Sequence, residues 1–556
     1  MKKNESFSVG QEPISIVQAG DISWDDEADV VVVGLGGAGV VCALEALEQG
    51  ADVLAIDRFE GGGATAYSGG VIYAGATRIQ REAGINDDPA EMAKYLAMEV
   101  GDAVSSDTVS KFCNDSASNL DWLIGHGVPY DSTLYEEKTV FPPDGAFLYY
   151  SGNEKVSTFA AKAKPAPRGH RAVGKGFNCG RVFYEALHAS ADKLGLRTRT
   201  HSVVTRFVRD ASGRVVGVEC QEVNPEDRAE HKRIYDRVQP LKPFNGEAAQ
   251  KAAMASRAIE SRGRIRRVRA RCGVVMATGG YAYNIDMLNQ HIPLMGKNFR
   301  ALLRMGALSC DGSSIFLGQS IGAQLRGIDQ AYVGRNLAPP KAYLRGMLVN
   351  QAGRRFVNEM AYVGAVGQAL LHQSEGRAWL IVNSKDFWLS IRQALIGNSL
   401  FIKFFGIPAL LNVLMGGTRR ARTIEGLAAK CGIDSPSLVA EVDVYNESIK
   451  SGREDEFCKD DINRKPIDGG CYYAVNFSIS NKYAFTQFFT LGGMVVDESN
   501  GAVLRPDGTV IEGLFAAGRA AFGICSNNYI SGLSIADCVY SGRRAARSIM
   551  DVPRRD

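Results

Sequence analysis

The feature that most constrains this chain is a run of branched apolar residues that stops on glycine. Residues 29–33 read DVVVV, the pattern of a strand buried on both faces, and residues 34–39 read GLGGAG. Residues 40–49 return to helix formers, and a second buried strand over 52–56 ends on Asp57. A strand, a G-x-G-x-x-G turn, a helix and an acid about 20 residues on form the dinucleotide-binding fingerprint. Gly34 permits the tight turn, Gly36 lets the backbone approach a pyrophosphate, and Gly39 lets the helix close on the strand. Gly37 and Ala38 open the helix whose N–H groups face the phosphate, and Asp57, with Arg58 beside it, accepts from a ribose hydroxyl. An acid at that place favours a free 2′-hydroxyl and argues against NADP.

Glycine supplies 61 of the 556 residues, above the usual ~7%. Its placement points to a ligand larger than NAD. Residues 61–70 read GGGATAYSGG and bring Gly63, Ala64, Thr65, Ser68, Gly69 and Gly70 close behind the ribose acid. NAD has no use for such a loop. FAD does, because its pyrophosphate continues into a tricyclic ring that lies against backbone. Two later strand ends, Ala277-Thr278-Gly279-Gly280 and Ala516-Ala517-Gly518-Arg519, are further places where chain crosses a cofactor. Val204, Ser534 and Ile535 complete the expected FAD contacts.

Early and late βαβ-type segments flank a different middle, which predicts an α/β fold: a discontinuous Rossmann-type FAD-binding domain with an inserted α+β capping domain. The expected division is an arm over 1–27, FAD-binding residues 28–285 and 476–556, and capping residues 286–475. Residues 119–130 (NLDWLIGHGVPY) predict a helix ending at Gly125 or Gly127; strands are expected over 202–208, 215–218, 272–277, 492–497 and 513–517, and a last helix after Gly532. A basic insertion spans 222–270. Its run 262–271 (RGRIRRVRAR) reads as an exposed hairpin edge, with phosphate or anionic-lipid binding as the second reading.

A net charge of +3 offers no overall field for nucleic acid. Residues 4–18 are too polar for a signal peptide, and 11 cysteines without a C-x-x-C fit reduced cytosolic thiols better than disulfides or zinc. The seven histidines show no metal-ligand spacing, so no metal is expected. Residues 395–415 (LIGNSLFIKFFGIPALLNVLM) carry Lys403, Asn398, Asn412, Gly406 and Pro408, which makes a poor membrane span. They read as a buried apolar segment, or as an apolar lip for a lipophilic substrate with peripheral contact at the inner membrane.

On these motifs the sequence resembles the flavoprotein family of fumarate reductases, succinate dehydrogenases and 3-ketosteroid dehydrogenases. The resemblance also covers MATGGYAYN at 276–284, GMLVNQAGRRFVNE at 346–359, TLGGMVVD at 490–497 and GLFAAGRA at 513–520. Succinate dehydrogenases carry a flavin-linked His just before the second glycine loop; Gly63 stands at that place, which implies noncovalent FAD. The HTMGG motif of fumarate reductases reads Phe489-Thr490-Leu491-Gly492-Gly493, and their RLGGN segment reads Tyr529-Ile530-Ser531-Gly532-Leu533. Two cationic dicarboxylate anchors are thus replaced by rings, which implies a large neutral substrate.

Tyr-x-Ser-Gly before a closing helix is similar to the site of bacterial 3-oxo-5α-steroid 4-dehydrogenases. Tyr362, after Phe356-Val357-Asn358-Glu359, takes the place of a second catalytic Tyr. The resemblance implies 4,5-desaturation of a steroid-like ketone. The 3-keto oxygen is held by Gly532 N–H and a Tyr hydroxyl, Ser531 relays the carbon 4 proton through Tyr529 or Tyr362, and hydride passes to flavin N5. An external acceptor, a quinone or electron carrier, would reoxidise the flavin. The alternatives are a 3-ketosteroid 1-dehydrogenase, an enoate reductase on a neutral or aromatic substrate, and a flavin-binding membrane-associated protein without turnover. Arg355 is expected in a structural ion pair between the two domains.

Overall fold

The computed structural model describes residues 11–16, 21–242, 244–396 and 402–554. Residues 1–10 and 17–18 of the leader reading and 397–401 of the apolar stretch lie outside them.

Strand Asp26–Val33 lies inside a nine-stranded sheet. Val53–Ile56 and then Arg197–Arg199 pair parallel on one side; Arg264–Met276 and beyond it Val510–Ala516 pair parallel on the other. Val30 and Val32 pack into one hydrophobic cluster, Val31 and Val33 into another, so the strand is buried on both faces as its composition predicts. Helix Gly37–Glu48 follows the glycine turn and packs on the last helix, Leu533–Met550. The approach is very close: a Cβ on Gly39 would lie 1.9 Å from the Gly34 carbonyl oxygen. Gly34 itself has φ +95°, and a Cβ there would meet the Ala277 carbonyl at 2.8 Å.

Strands separated by most of the chain share this sheet, so the Rossmann-type unit is discontinuous. The intervening chain builds smaller sheets. One runs Leu302–Arg304, Thr486–Thr490, Ala331–Arg335; another, Met347–Val349, Trp379–Asn383, Tyr472–Asn476, Thr418–Ala421, is backed by helices Ile424–Cys431 and Ser435–Lys450. The predicted 119–130 helix forms as Ser116–Gly125. The expected 492–497 strand shrinks to Gly493–Met494, paired with Leu325–Arg326, because Met494 and Val496 next make single bridges to different partners.

Two expectations are corrected. The basic run does form a hairpin with Val215–Glu222, over Arg264 to Arg269, and its first residues are exposed, but from Val268 onward the strand also pairs with Asp26–Val33 and is interior. Acids on neighbouring chain neutralise it: Arg266 meets Asp25 and Glu222, Arg267 meets Glu219, and Arg271 meets Glu27 and Asp29. That pairing lets an Arg-rich segment sit between strands. The insertion before it holds helices Arg228–Arg237 and Gly246–Glu260. Arg355 does not bridge two domains. It pairs with Glu359 at 2.9 Å and Asp455 at 2.7 Å, both in the middle region, and braces that region from within.

Asp537, buried in the last helix, accepts from the Cys525 thiol at 3.6 Å. Burial pushes its carboxyl up from 3.8 to about 6. Between those values the folded state binds the extra proton, so stability falls as pH rises through the window and stays lowered above it, by about 3 kcal/mol. Asp537→Asn removes the titration. Denaturant unfolding should therefore find the variant more stable than wild type near pH 8 and about equal near pH 4. An unchanged gap between the two pH values would contradict this. All eleven cysteines are free, and among the described residues no helix is long and apolar enough to cross a membrane.

Candidate active site

The first glycine turn, the second glycine loop and the 277–279 strand end enclose a cavity of about 810 Å³. Gly34, Gly36, Gly37 and Ala38 line it from the turn; Asp57 and Arg58 line it from the end of the second strand. Gly63, Ala64 and Thr65 line it from the second loop, and Val204, Ala277, Thr278 and Gly279 from the far side. Three predicted contacts line neither this cavity nor the one beside it. Gly39 closes on Gly34, a Cβ on Gly70 would lie 2.5 Å from the Cys179 carbonyl carbon, and one on Gly518 would lie 2.8 Å from Ala38. These glycines let the walls approach one another and do not form the wall.

Asp57 is buried, and its two carboxylate oxygens accept from Leu35 N at 2.7 Å and Phe59 N at 2.8 Å. Burial raises its pKa against those bonds, and the spare lone pairs face the cavity it lines. Arg58 is already neutralised by Glu260 at 2.6 Å and Asp311 at 2.7 Å, a clamp that no motif announced. The Thr278 hydroxyl is buried against this cavity without a hydrogen-bond partner, and Gly36 faces Gly63 with only backbone between. A helix N-terminus, bare backbone walls, a ribose acid and an unpaired buried hydroxyl fit a dinucleotide pyrophosphate.

A second cavity, about 990 Å³, shares Ala64, Thr65, Arg519 and Cys538 with the first. It gathers all four predicted catalytic residues, Tyr362, Tyr529, Ser531 and Gly532, together with Ser68, Gly69, Ser534 and Ile535. The Tyr529–Gly532 loop is clamped in place. Gly532 caps the last helix at φ +96°, where a Cβ would lie 2.8 Å from Tyr73 N. Its carbonyl accepts from Tyr73 N at 3.1 Å, and the Ser531 carbonyl accepts from Ser151 Oγ at 2.9 Å. Gly532 and Tyr529 both line this chamber, which brings a backbone N–H and a phenol hydroxyl to the same wall.

The Tyr529 ring meets Tyr332 edge-on at 4.9 Å and Phe489 at 5.0 Å, and Tyr332 stacks on Phe489 at 4.9 Å. Tyr362 lies 6.5 Å from Tyr332, its backbone N–H held by Asn153 Oδ1 at 2.6 Å. Tyr332 donates to Gln487 Oε1 at 3.2 Å. Burial pushes the Tyr529 hydroxyl up to about 12 and those of Tyr332, Tyr362 and Tyr149 higher. At neutral pH all four are therefore O–H donors. Two arginines remain in the wall: Arg519 stacks over Phe489 at 4.9 Å, and Arg171 bonds backbone carbonyls and Asp144.

Tyr332, Tyr149 and Gln487 were not anticipated. Gln487 and Phe489 share a face of strand Thr486–Thr490, so period-two alternation from Phe489 could have found the former. Tyr332 lies in a plain apolar strand and gives no such signal. A third cavity, about 1080 Å³, joins the second through Ser68, Gly69, Phe141, Phe177, Met305 and Gln487. Phe404, Phe405 and Pro408 wall it, so the described part of the apolar stretch forms a lip.

A glycine-walled dinucleotide cavity opening into an apolar, tyrosine-lined chamber defines a flavin-dependent oxidoreductase. The model of the FAD binding domain family matches residues 29–534, and the chain belongs to that family, with FAD as its cofactor. The chain is 36% identical over 524 residues to 3-oxo-5-alpha-steroid 4-dehydrogenase of Comamonas testosteroni, covering 91% of this chain and 95% of that one. It is similar to the crystal structure of 3-ketosteroid-delta4-(5alpha)-dehydrogenase from Rhodococcus jostii RHA1 in complex with 4-androstene-3,17-dione. That match has TM-score 0.79 and 31% identity, and covers 97% of this chain and 99% of the other. It shares its fold with the open conformation of a flavocytochrome c3 fumarate reductase, at TM-score 0.59 and 22% identity, with 95% and 79% coverage.

Proposed function

We propose that this chain is an FAD-dependent 3-ketosteroid dehydrogenase that places a 4,5 double bond in ring A of a 3-oxo-5α-steroid. The observation that carries the reading is the gathering of Gly532, Tyr529, Tyr362 and Ser531 in the wall of one apolar chamber beside the dinucleotide cavity. A ketone oxygen placed there accepts from Gly532 and Tyr529, which stabilises the enolate formed when carbon 4 loses its proton. Ser531 takes that proton. Because its free pKa is far too high for a lone base, Ser531 gives up its own hydroxyl proton to a neighbouring tyrosine as it takes the carbon 4 proton, and that tyrosine releases its proton to water. Bound FAD supplies the acceptor for the carbon 5 hydride. Arg519 lines both cavities and sets a cation where negative charge grows on reduction.

The aromatic wall of Tyr332, Phe489 and Phe141 suits a flat, neutral ring system; of the two arginines in the wall, Arg171 is already engaged by Asp144 and backbone carbonyls, and Arg519 lies over Phe489. Gly63 offers no nucleophile, so FAD is held noncovalently. Residues 286–475 act as the cap over the flavin. The flavin is reoxidised by an external quinone or electron carrier, and the free thiols support a cytoplasmic location. A panel of 3-oxo-5α, 3-oxo-5β and 3-oxo-4-ene steroids with an artificial electron acceptor tests the reading. Turnover of the 5α saturated ketones to 4-enes is expected, with anaerobic bleaching of the flavin by the same compounds. A 1-ene product, or reoxidation of reduced flavin by unsaturated acids alone, would move the assignment to the 1-dehydrogenase or enoate reductase branch.

A further inference from the structure

Residues 387–424 contain five Lys and Arg and not one Asp or Glu. The described part of this segment is also where large apolar side chains stand in solvent: Trp388 is 58% exposed, Leu395 56%, Ile396 61%, Leu414 77% and Met415 61%. On helix Ser384–Ala394, Lys385, Trp388 and Arg392 fall at i, i+3 and i+7, one exposed face with an indole between two cations. Trp388 and Arg420 both pack on Tyr473, so the face continues to the strand Thr418–Ala421. The same helix packs against Ile402–Gly406 and Ile407–Leu414, whose inner side chains Phe404, Phe405 and Pro408 wall the apolar cavity leading to the tyrosine chamber. An apolar surface is therefore laid over an apolar passage.

We infer that this face docks on the surface of an anionic phospholipid bilayer, so that the lipophilic substrate passes from the acyl region through the Phe404–Phe405 lip. Exposed apolar residues ringed by Lys and Arg, with an indole at the polar boundary, match the chemistry of a charged headgroup layer over hydrocarbon. A segment that combines five cations with no acid is repelled by a second copy of itself. Docking is a property of the surface; only the identity of the cargo rests on the steroid reading.

The test is flotation of the flavin-loaded protein with phosphatidylcholine vesicles, with and without phosphatidylglycerol. Binding should be roughly tenfold stronger to the anionic vesicles and fall with added salt. Trp388→Ser with Leu414→Ser, and separately Arg392→Glu with Arg420→Glu, should each cut it roughly tenfold. The flavin spectrum and turnover of cyclodextrin-delivered ketone should stay unchanged. No vesicle binding, equal binding to neutral and anionic vesicles, or binding unmoved by both variant pairs overturns the proposal. So does sedimentation showing that the variants only dissociate a dimer. If vesicles bind as expected but no ketosteroid turns over, the steroid reading fails and the docking surface stands.

Discussion

Ser531→Ala and Tyr529→Phe are each expected to lower kcat by roughly 10²–10⁴-fold while the protein stays yellow. The expectation is large because each change removes one hydroxyl and little packing. The Phe ring would keep the edge-on contacts with Tyr332 and Phe489 at 4.9 and 5.0 Å, and Ser531 holds its loop through its backbone carbonyl. Flavin content and KM should therefore move little. If Ser531 and a tyrosine act as one relay, the double variant will be scarcely slower than the worse single one, since a broken relay cannot be broken twice. Stopped-flow reduction of the flavin by a saturated ketosteroid isolates the step. Near-normal reduction in both single variants would remove these residues from the proton path.

Gly39→Ala should be the change outside the chamber that most damages the glycine turn. Its Cβ would lie 1.9 Å from the Gly34 carbonyl oxygen and 3.0 Å from its carbon, both main-chain atoms of the glycine turn. The helix must back away from the strand, which costs at least about 3 kcal/mol and moves the N-terminal amides away from the pyrophosphate. Purified protein should lose most of its visible flavin absorbance and melt earlier. Gly50→Ala is the control: at φ +80° it strains the backbone by about 1–2 kcal/mol but meets nothing within 4 Å. If both variants retain flavin equally, close approach at Gly39 is not what the glycine serves.

The cofactor half of the molecule was legible because its signals are local. A buried β-branched run, a glycine turn and an acid at the next strand end are set within thirty-odd residues, and each residue type there answers a backbone need. The same logic led to the second glycine loop, whereas Tyr529–Gly532 was found through the family resemblance; there a left-handed helix cap demands glycine. It misjudged positions whose neighbours are distant in sequence. Arg266, Arg267 and Arg271 read as a plain exposed edge because their partners, Asp25, Glu27, Glu219 and Glu222, lie on other stretches of chain. Arg355 was given a partner across domains when Glu359, four residues on, and Asp455 were the ones at hand.

The chamber shows the division most clearly. By itself the sequence determined that a dinucleotide would be bound and which loops would hold it. Those are statements about spacing along one stretch of chain. Only the tertiary structure decided that Tyr332 and Gln487 join Tyr362 and Tyr529, and that the apolar stretch after residue 401 walls a passage to them. It also decided that the face above that passage carries exposed tryptophan and leucine among cations. Side chains from separate strands meet because sheet pairing and burial bring them together, and neither register nor burial is written in the spacing of any one segment.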